Sequence, residues 1–211
     1  VASVLPELLE LHPGIDYTLE GEQREQDETV SGMVRGFMLA LILIYALLAI
    51  PFRSYLQPLI VMLAIPFGIV GAIWGHLLMG MDLTIMSMFG VVALTGVIVN
   101  DSLVMVDFIN TRRRAGGRSE DAVISAGPAR FRAILLTSLT TFAGLLPLLL
   151  ERSLQAKFLI PMAVSLGFGV LFATAITLVI VPVGYLALED VIRLGRKAFG
   201  VRSDPEAPAS A

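Results

Sequence analysis

Five long apolar runs, separated by short clusters of charged residues and glycine or proline, set the pattern of this chain. They extend approximately from Met33 to Phe52, Leu56 to Met79, Leu83 to Ile109, Ala133 to Leu150 and Phe158 to Leu188. A hydrocarbon core of about 30 Å takes about 20 apolar residues in a helix, so each run predicts a membrane-crossing helix. The fifth run has length to spare, which predicts a tilt or an extension beyond the membrane. The fold class predicted is an all-α polytopic membrane protein.

Polar residues inside such runs carry more information than the runs themselves. Asp101 lies in GVVALTGVIVNDSLVMVDF, Gly90 to Phe108, where water is absent and an ionised carboxylate is poorly solvated. A central charge costs about 2.5 to 3.5 kcal/mol on insertion scales, which points Asp101 toward other helices and toward function. Burial favours its neutral form and a nearby cation its charged form. Asp101 lies roughly 12 Å inside the end of its run, and Thr137, seven residues beyond Arg130, lies roughly 10 Å inside its own, so their depths match. Asn100 and Asp107, like Arg130 and Thr137, are two turns apart and share a helix face. A static interhelical hydrogen bond to Ser102, Thr137 or a helix outside this chain is the alternative to proton transfer at Asp101. For Asp107, close to the Arg112 to Arg114 cluster, a solvated or ion-paired end competes with a relay role, and Arg130 can equally anchor the boundary.

Composition agrees with the pattern. Hydrophobic residues make up 56% of the chain and charged residues 16%, which excludes an ordinary soluble domain. There is no cysteine, hence no disulfide and no thiolate-bound metal. The placement of basic residues is more useful than the net charge. Arg53, the Arg112 to Arg132 loop and the tail after Glu189 hold eleven of the fifteen Lys and Arg residues, so that side is expected in the cytoplasm. Arg24, Arg35, Arg152 and Lys157 fall on the opposite side, and five spans put the two ends on opposite faces.

Val1 to Thr29 reads as the end of a folded extramembrane domain. Leu5, Leu8 and Leu9 suit an amphipathic helix, His12 to Gly14 a turn, and Ile15, Tyr17 and Leu19 a strand. The expected organisation is residues 1–30 as the end of that domain, 31–188 as five helices, and 189–211 as a cytoplasmic tail whose Ser203 to Ala211 segment does not fold. The chain is expected to be a fragment.

Three ordered segments carry a family resemblance: IYALLAIPFRSYLQPLIVMLAIPFGIVGA at Ile44 to Ala72, GVIVNDSLVMVDF at Gly96 to Phe108, and RFRAILLTSLTTFAGLLPL at Arg130 to Leu148. From about Pro13 to Leu186 the chain resembles the carboxy-terminal part of a resistance-nodulation-division (RND) efflux pump of the hydrophobe and amphiphile exporter type. The resemblance implies helices eight to twelve of twelve, preceded by the end of an α+β periplasmic porter domain. It also implies a homotrimer in the bacterial inner membrane that exchanges protons for amphiphilic compounds with a periplasmic adaptor and an outer-membrane channel. No enzyme activity, cofactor or nucleic-acid partner is expected. In the family's proton relay, the lysine position falls on Asn100, its neighbour on Asp101, the arginine on Arg130 and the threonine on Thr137. Asn100 departs from the pattern, which leaves Asp101 as an acidic relay member in its own right, with Asp107 completing the candidate set.

Other features have competing readings. His76 has a suitable intrinsic pKa for proton transfer, but its place near the outer end of a helix favours packing or hydrogen bonding. Gly68, Gly71 and Gly75 form a face for close helix approach. Pro66, Pro147, Pro161 and Pro182 predict kinks or helix ends. Thr137, Ser138, Thr140 and Thr141 can bond their own helix backbone. Met79, Met81, Met86 and Met88 cluster at an outer turn and raise heavy-metal export as an alternative, since thioethers bind soft metals, although methionine is also a common packing residue. A membrane scaffold without transport is the other alternative.

Overall fold

A computed structural model of the chain describes residues 22–116 and 119–198. Its elements are α1 (Glu22–Phe52), α2 (Gln57–Met62), α3 (Ile65–Met79), α4 (Ile85–Arg114), α5 (Ser119–Leu149), a single 3-10 turn (Ala156–Phe158) and α6 (Ile160–Ala198). There is no strand among the described residues. Five helical segments are long and apolar enough to cross a membrane, with α2 and α3 together forming one of them. The helix, turn and strand expected over Leu5 to Leu19 lie outside the described residues, as does the Ser203 to Ala211 tail.

The expected second span is broken by proline. Pro58 and Pro66 sit in the first turns of α2 and α3. Pro66 has no N–H to donate to the preceding turn, so the ladder fails there. Leu63 and Ala64 nonetheless keep right-handed helical angles, and Ala64 donates to Val61 O at 3.3 Å, which makes the break a kink within one crossing. By contrast, Pro147 and Pro182 lie inside continuous helices, and Pro161 occupies the first turn of α6, where a missing N–H costs nothing.

Helix boundaries outrun the apolar runs. The helix of the fourth crossing begins at Ser119, ahead of the apolar run from Ala133, because the polar residues before Ala133 extend the same helix. Likewise α6, a helix of 39 residues, continues past Leu188 to Ala198. Hydropathy marks where lipid begins. It does not mark where backbone hydrogen bonding stops.

The chain divides into two units, 1–40 and 41–211. The described part of the first is the polar start of α1, where Arg24 pairs with Glu28 at 3.0 Å. In the second, α6 passes through three apolar clusters. One, toward the arginine-rich end, gathers Leu48, Phe52, Val61, Met105, Ile109 and Tyr185; the middle one gathers Ala72, Leu94, Ile98 and Val170; the third gathers Leu149, Ile160 and Val164. Gly68, Gly71 and Gly75 form a packing face, as expected. A Cβ on Gly71 would overlap Phe172, one on Gly75 would overlap Phe168, and one on Gly68 would overlap Ile98. Small residues let α3 press against α4 and α6 where lipid supplies no hydrophobic drive for association. Large apolar side chains such as Ile50, Leu77, Leu136 and Val183 stay exposed, as suits a surface solvated by lipid.

Candidate functional site

Helical periodicity carries Asp101 into the interior. Leu94 and Ile98, seven and three residues before it, and Met105, four after it, are all buried. They mark one stripe of α4, and Asp101, 6% exposed, sits within it. The stripe meets α6 in a narrow cleft lined by Val97, Ile98, Asp101, Val170, Ala173, Thr174 and Thr177, too tight for a water-sized sphere. Among the described residues, no group donates a hydrogen bond to Asp101, and the buried hydroxyl of Ser102 also has no partner. Among the described residues, neither Ser102 nor Thr137 bonds Asp101.

A hydroxyl pair borders the cleft. Ser138 of α5 donates to Ile134 O at 3.0 Å and also bonds Thr174 of α6. With the Ser138 proton directed to its own backbone, Thr174 is the donor of that pair. The Thr174 oxygen then retains acceptor capacity beside the cleft.

Among the described residues, Thr137 and Asp101 are not brought together. Thr137 is exposed and its hydroxyl donates to Ala133 O at 2.9 Å, while its neighbour Ser138 is the one buried against α6. Equal depth fixes height along a helix but not direction, and one residue turns a side chain by about 100°. The same step separates Asn100 from Asp101. Asn100 and Asp107 do share a face, but it is an exposed one, turned away from the stripe that holds Asp101. Arg130 is half-buried, with its guanidinium carbon 4.9 Å from the centre of the Phe108 ring. Ser138, Thr140 and Thr141, as expected, bond carbonyls of their own helix.

Nine residues beyond Asp101, a polar network that the sequence reading missed joins three helices. Gln57 and Asn110 exchange side-chain amide bonds of 3.1 and 2.8 Å. Tyr185 donates to Asn110 Oδ1 at 2.9 Å, Arg113 donates to the Tyr185 hydroxyl at 2.8 Å, and Arg113 pairs with Glu189 at 2.9 Å. The available signal was spacing: Asn110 and Arg113 stand three apart on α4, Tyr185 and Glu189 four apart on α6, and such pairs share a helix face.

At the other end, His76 takes the hydrogen-bonding role expected of it. Its Nδ1 lies 2.9 Å from Ala72 O, a carbonyl that can only accept, so Nδ1 carries a proton. In the neutral ring, Nε2 then accepts from the Ser87 hydroxyl at 2.7 Å. Ser87 is also half of the capping box with Thr84 that opens α4. Of the methionines, Met81 packs on the Leu149 and Ile160 cluster, whereas Met79, Met86 and Met88 are exposed. Among the described residues, no group of three or more His, Asp or Glu side chains could hold a metal ion. In the loop after α5, backbone N–H groups of Ser153 and Arg152 donate to the Glu151 carboxylate at 3.0 and 2.9 Å and hold it below the usual carboxylate range.

Comparison with known proteins places this architecture. A family model described as AcrB/AcrD/AcrF matches residues 2–189. The multidrug resistance protein MdtC of Proteus mirabilis (strain HI4320) is 29% identical over 175 residues, covering 82% of this chain and 17% of that protein. Two crystal structures of a heavy metal efflux pump, crystal forms II and I, are similar with TM-scores of 0.71 and 0.70 at 27% and 26% identity. Each covers 90% of this chain, which spans 20% and 19% of those chains. The chain therefore spans about a fifth of the length of the proteins it matches.

Proposed function

This chain belongs to the AcrB/AcrD/AcrF family of RND efflux transporters, and we propose that it forms part of the membrane domain of a proton-driven exporter, with Asp101 as a proton carrier. The observation that carries the reading is a carboxyl buried in a membrane-crossing helix with no donor among the described residues. Such a carboxyl is a group that can bind a proton and give it up. Opening the α4 and α6 cleft to water would favour release, so binding and loss of a proton would favour different packings of these two helices. Thr174 lines the same cleft and leaves acceptor capacity at its border. Membrane potential contributes about 2.3 kcal/mol per charge per 100 mV to such a cycle.

The rest of the reading follows the family. Residues 1–30 end a periplasmic porter domain, 31–188 form the membrane helices and 189–211 the cytoplasmic tail. The arginine-rich end faces the cytoplasm of a bacterium, in keeping with the bias of basic residues. Asn100, Asp107 and Thr137, exposed on their helices, face parts of the transporter outside this chain and contribute to the relay from there. The working unit is a homotrimer with a periplasmic adaptor and an outer-membrane channel. Its cargo is a drug or other amphiphilic compound, as the likeness to a multidrug resistance protein supports. A second reading, heavy-metal export, is favoured by the two metal-pump structures and would use the exposed Met79, Met86 and Met88 along the exit route.

The test is proton flux in proteoliposomes holding the full-length protein, driven by a pH gradient with exported substrate present. Asp101→Asn keeps the shape and removes the titrating oxygen. Loss of flux at equal folded amounts is expected, and unchanged flux would overturn the assignment. Resistance profiles separate the cargo readings: joint replacement of Met79, Met86 and Met88 by Leu should leave drug resistance intact, whereas loss of metal tolerance would establish the second reading.

A further inference from the structure

Two arginines from different helices meet at one aromatic ring. The guanidinium carbon of Arg112, in the last turn of α4, lies 5.4 Å from the centre of the Phe108 ring, and that of Arg130, from α5, lies 4.9 Å from it. Neither arginine forms an ion pair with a carboxylate among the described residues, and the enclosed Nε of Arg130 has no hydrogen-bond acceptor there. Asp107, next to Phe108, is exposed and pairs with neither. Arg113 shows the contrast. One residue beyond Arg112, it has both Glu189 and the Tyr185 hydroxyl.

An aromatic face attracts each cation, but it cannot cancel the repulsion between two of them. An anion beside the ring would. It would also supply the missing acceptor for Arg130, and the planar fork of a guanidinium fits the paired oxygens of a phosphate. The position selects the source of that phosphate. Arg112 closes the helix at the end of its apolar run, and Arg130 stands three residues before the apolar part of α5 begins at Ala133. Both belong to the level where a bilayer carries its headgroups. Basic pockets between membrane helices on the cytoplasmic side are suited to anionic headgroups.

We propose that Arg112, Phe108 and Arg130 form a binding site for the phosphodiester headgroup of an anionic phospholipid. The site depends on the crossing helices and not on the proton-carrier assignment of Asp101, so either can fail alone. Occupied, it would tie α4 to α5 through a lipid where no described residue supplies a carboxylate.

The test uses the full-length protein in nanodiscs of phosphatidylcholine, titrated with phosphatidylglycerol and read by native mass spectrometry. The native protein should retain phosphatidylglycerol in preference to phosphatidylcholine. Each arginine removed should weaken that preference about fivefold. Arg112→Gln is the first variant, because Arg112 is exposed at a helix end and its loss should not unfold the protein; Arg130→Gln follows, and Arg114→Gln serves as the charge-matched control. Loss with Arg112→Gln and retention with Arg114→Gln would support the site. Equal loss in both would reduce it to a general surface-charge effect and overturn it, as would full retention in Arg112→Gln. Displacement of the lipid by millimolar inorganic phosphate would also overturn it, because the site would then be one for soluble anions.

Discussion

Asp101 and Asn110 stand nine residues apart on the same helix, both buried, and their surroundings differ in kind. Asn110 is met by Gln57 and Tyr185, and the network continues through Arg113 to Glu189. Asp101 is met by apolar side chains and by threonines that donate nothing to it. A satisfied buried network fixes how helices meet, because any rearrangement leaves its members unpaired. An unpartnered carboxyl does the reverse: it makes the packing around it depend on protonation. One end of α4 is bonded to α2 and α6, and the middle, on the proposed reading, is the part that responds to a proton.

The comparison can be broken most directly at Asp101. Replacement by Asn should abolish substrate-dependent proton flux in proteoliposomes while leaving thermal stability close to native; an unfolded variant, or one with native flux, would erase the distinction. At the satisfied end, Tyr185→Phe should destabilise by about 1 to 3 kcal/mol, since Asn110 loses a donor and Arg113 an acceptor. Its flux per folded molecule should stay near native, as denaturant unfolding and transport on the same preparation would reveal. Glu189→Gln should cost less, under about 1 kcal/mol, because Arg113 is partly exposed and the pair is screened. Ser138→Ala tests the border between the two regimes. Removing the partner of Thr174 should cost about 1 kcal/mol and shift the pH dependence of flux, a readout that pure packing would not move.

The smallest effect lies outside the membrane, at Glu151. Its carboxyl is held below the ordinary range by the N–H groups of Ser153 and Arg152, so the turn keeps this support at neutral pH and loses it as pH falls from the unfolded value of about 4.3 through the lower folded one. Protection of the Arg152 and Ser153 amides, measured relative to their intrinsic exchange rates, should fall across that acid window, and Glu151→Gln should remove this change in protection.

Much of this was legible in the chain. Five crossings could be read because lipid imposes a long, uninterrupted apolar requirement on each helix, and Asp101 stood out because such a requirement makes every exception visible. Gly68, Gly71 and Gly75 announced a close crossing through their shared face. The Gln57, Asn110, Tyr185 and Glu189 network was harder to see, because its members come from three separate helices and none is a carboxyl in mid-membrane as Asp101 is. That Ser138 rather than Thr137 is buried against α6 could not be read, because depth along a helix can be counted from sequence, whereas rotation about its axis depends on what the helix packs against.

The sequence by itself determined the number of crossings, the side that collects arginine and the presence of a carboxyl where none is tolerated without cause, since each follows from local transfer free energy. Only the tertiary structure decided which hydroxyl borders Asp101, which arginine has a carboxylate and which two share a ring. Those outcomes depend on the relative rotation of α4, α5 and α6. Side-chain packing summed over whole helix faces sets that rotation, and no single position in the chain records it.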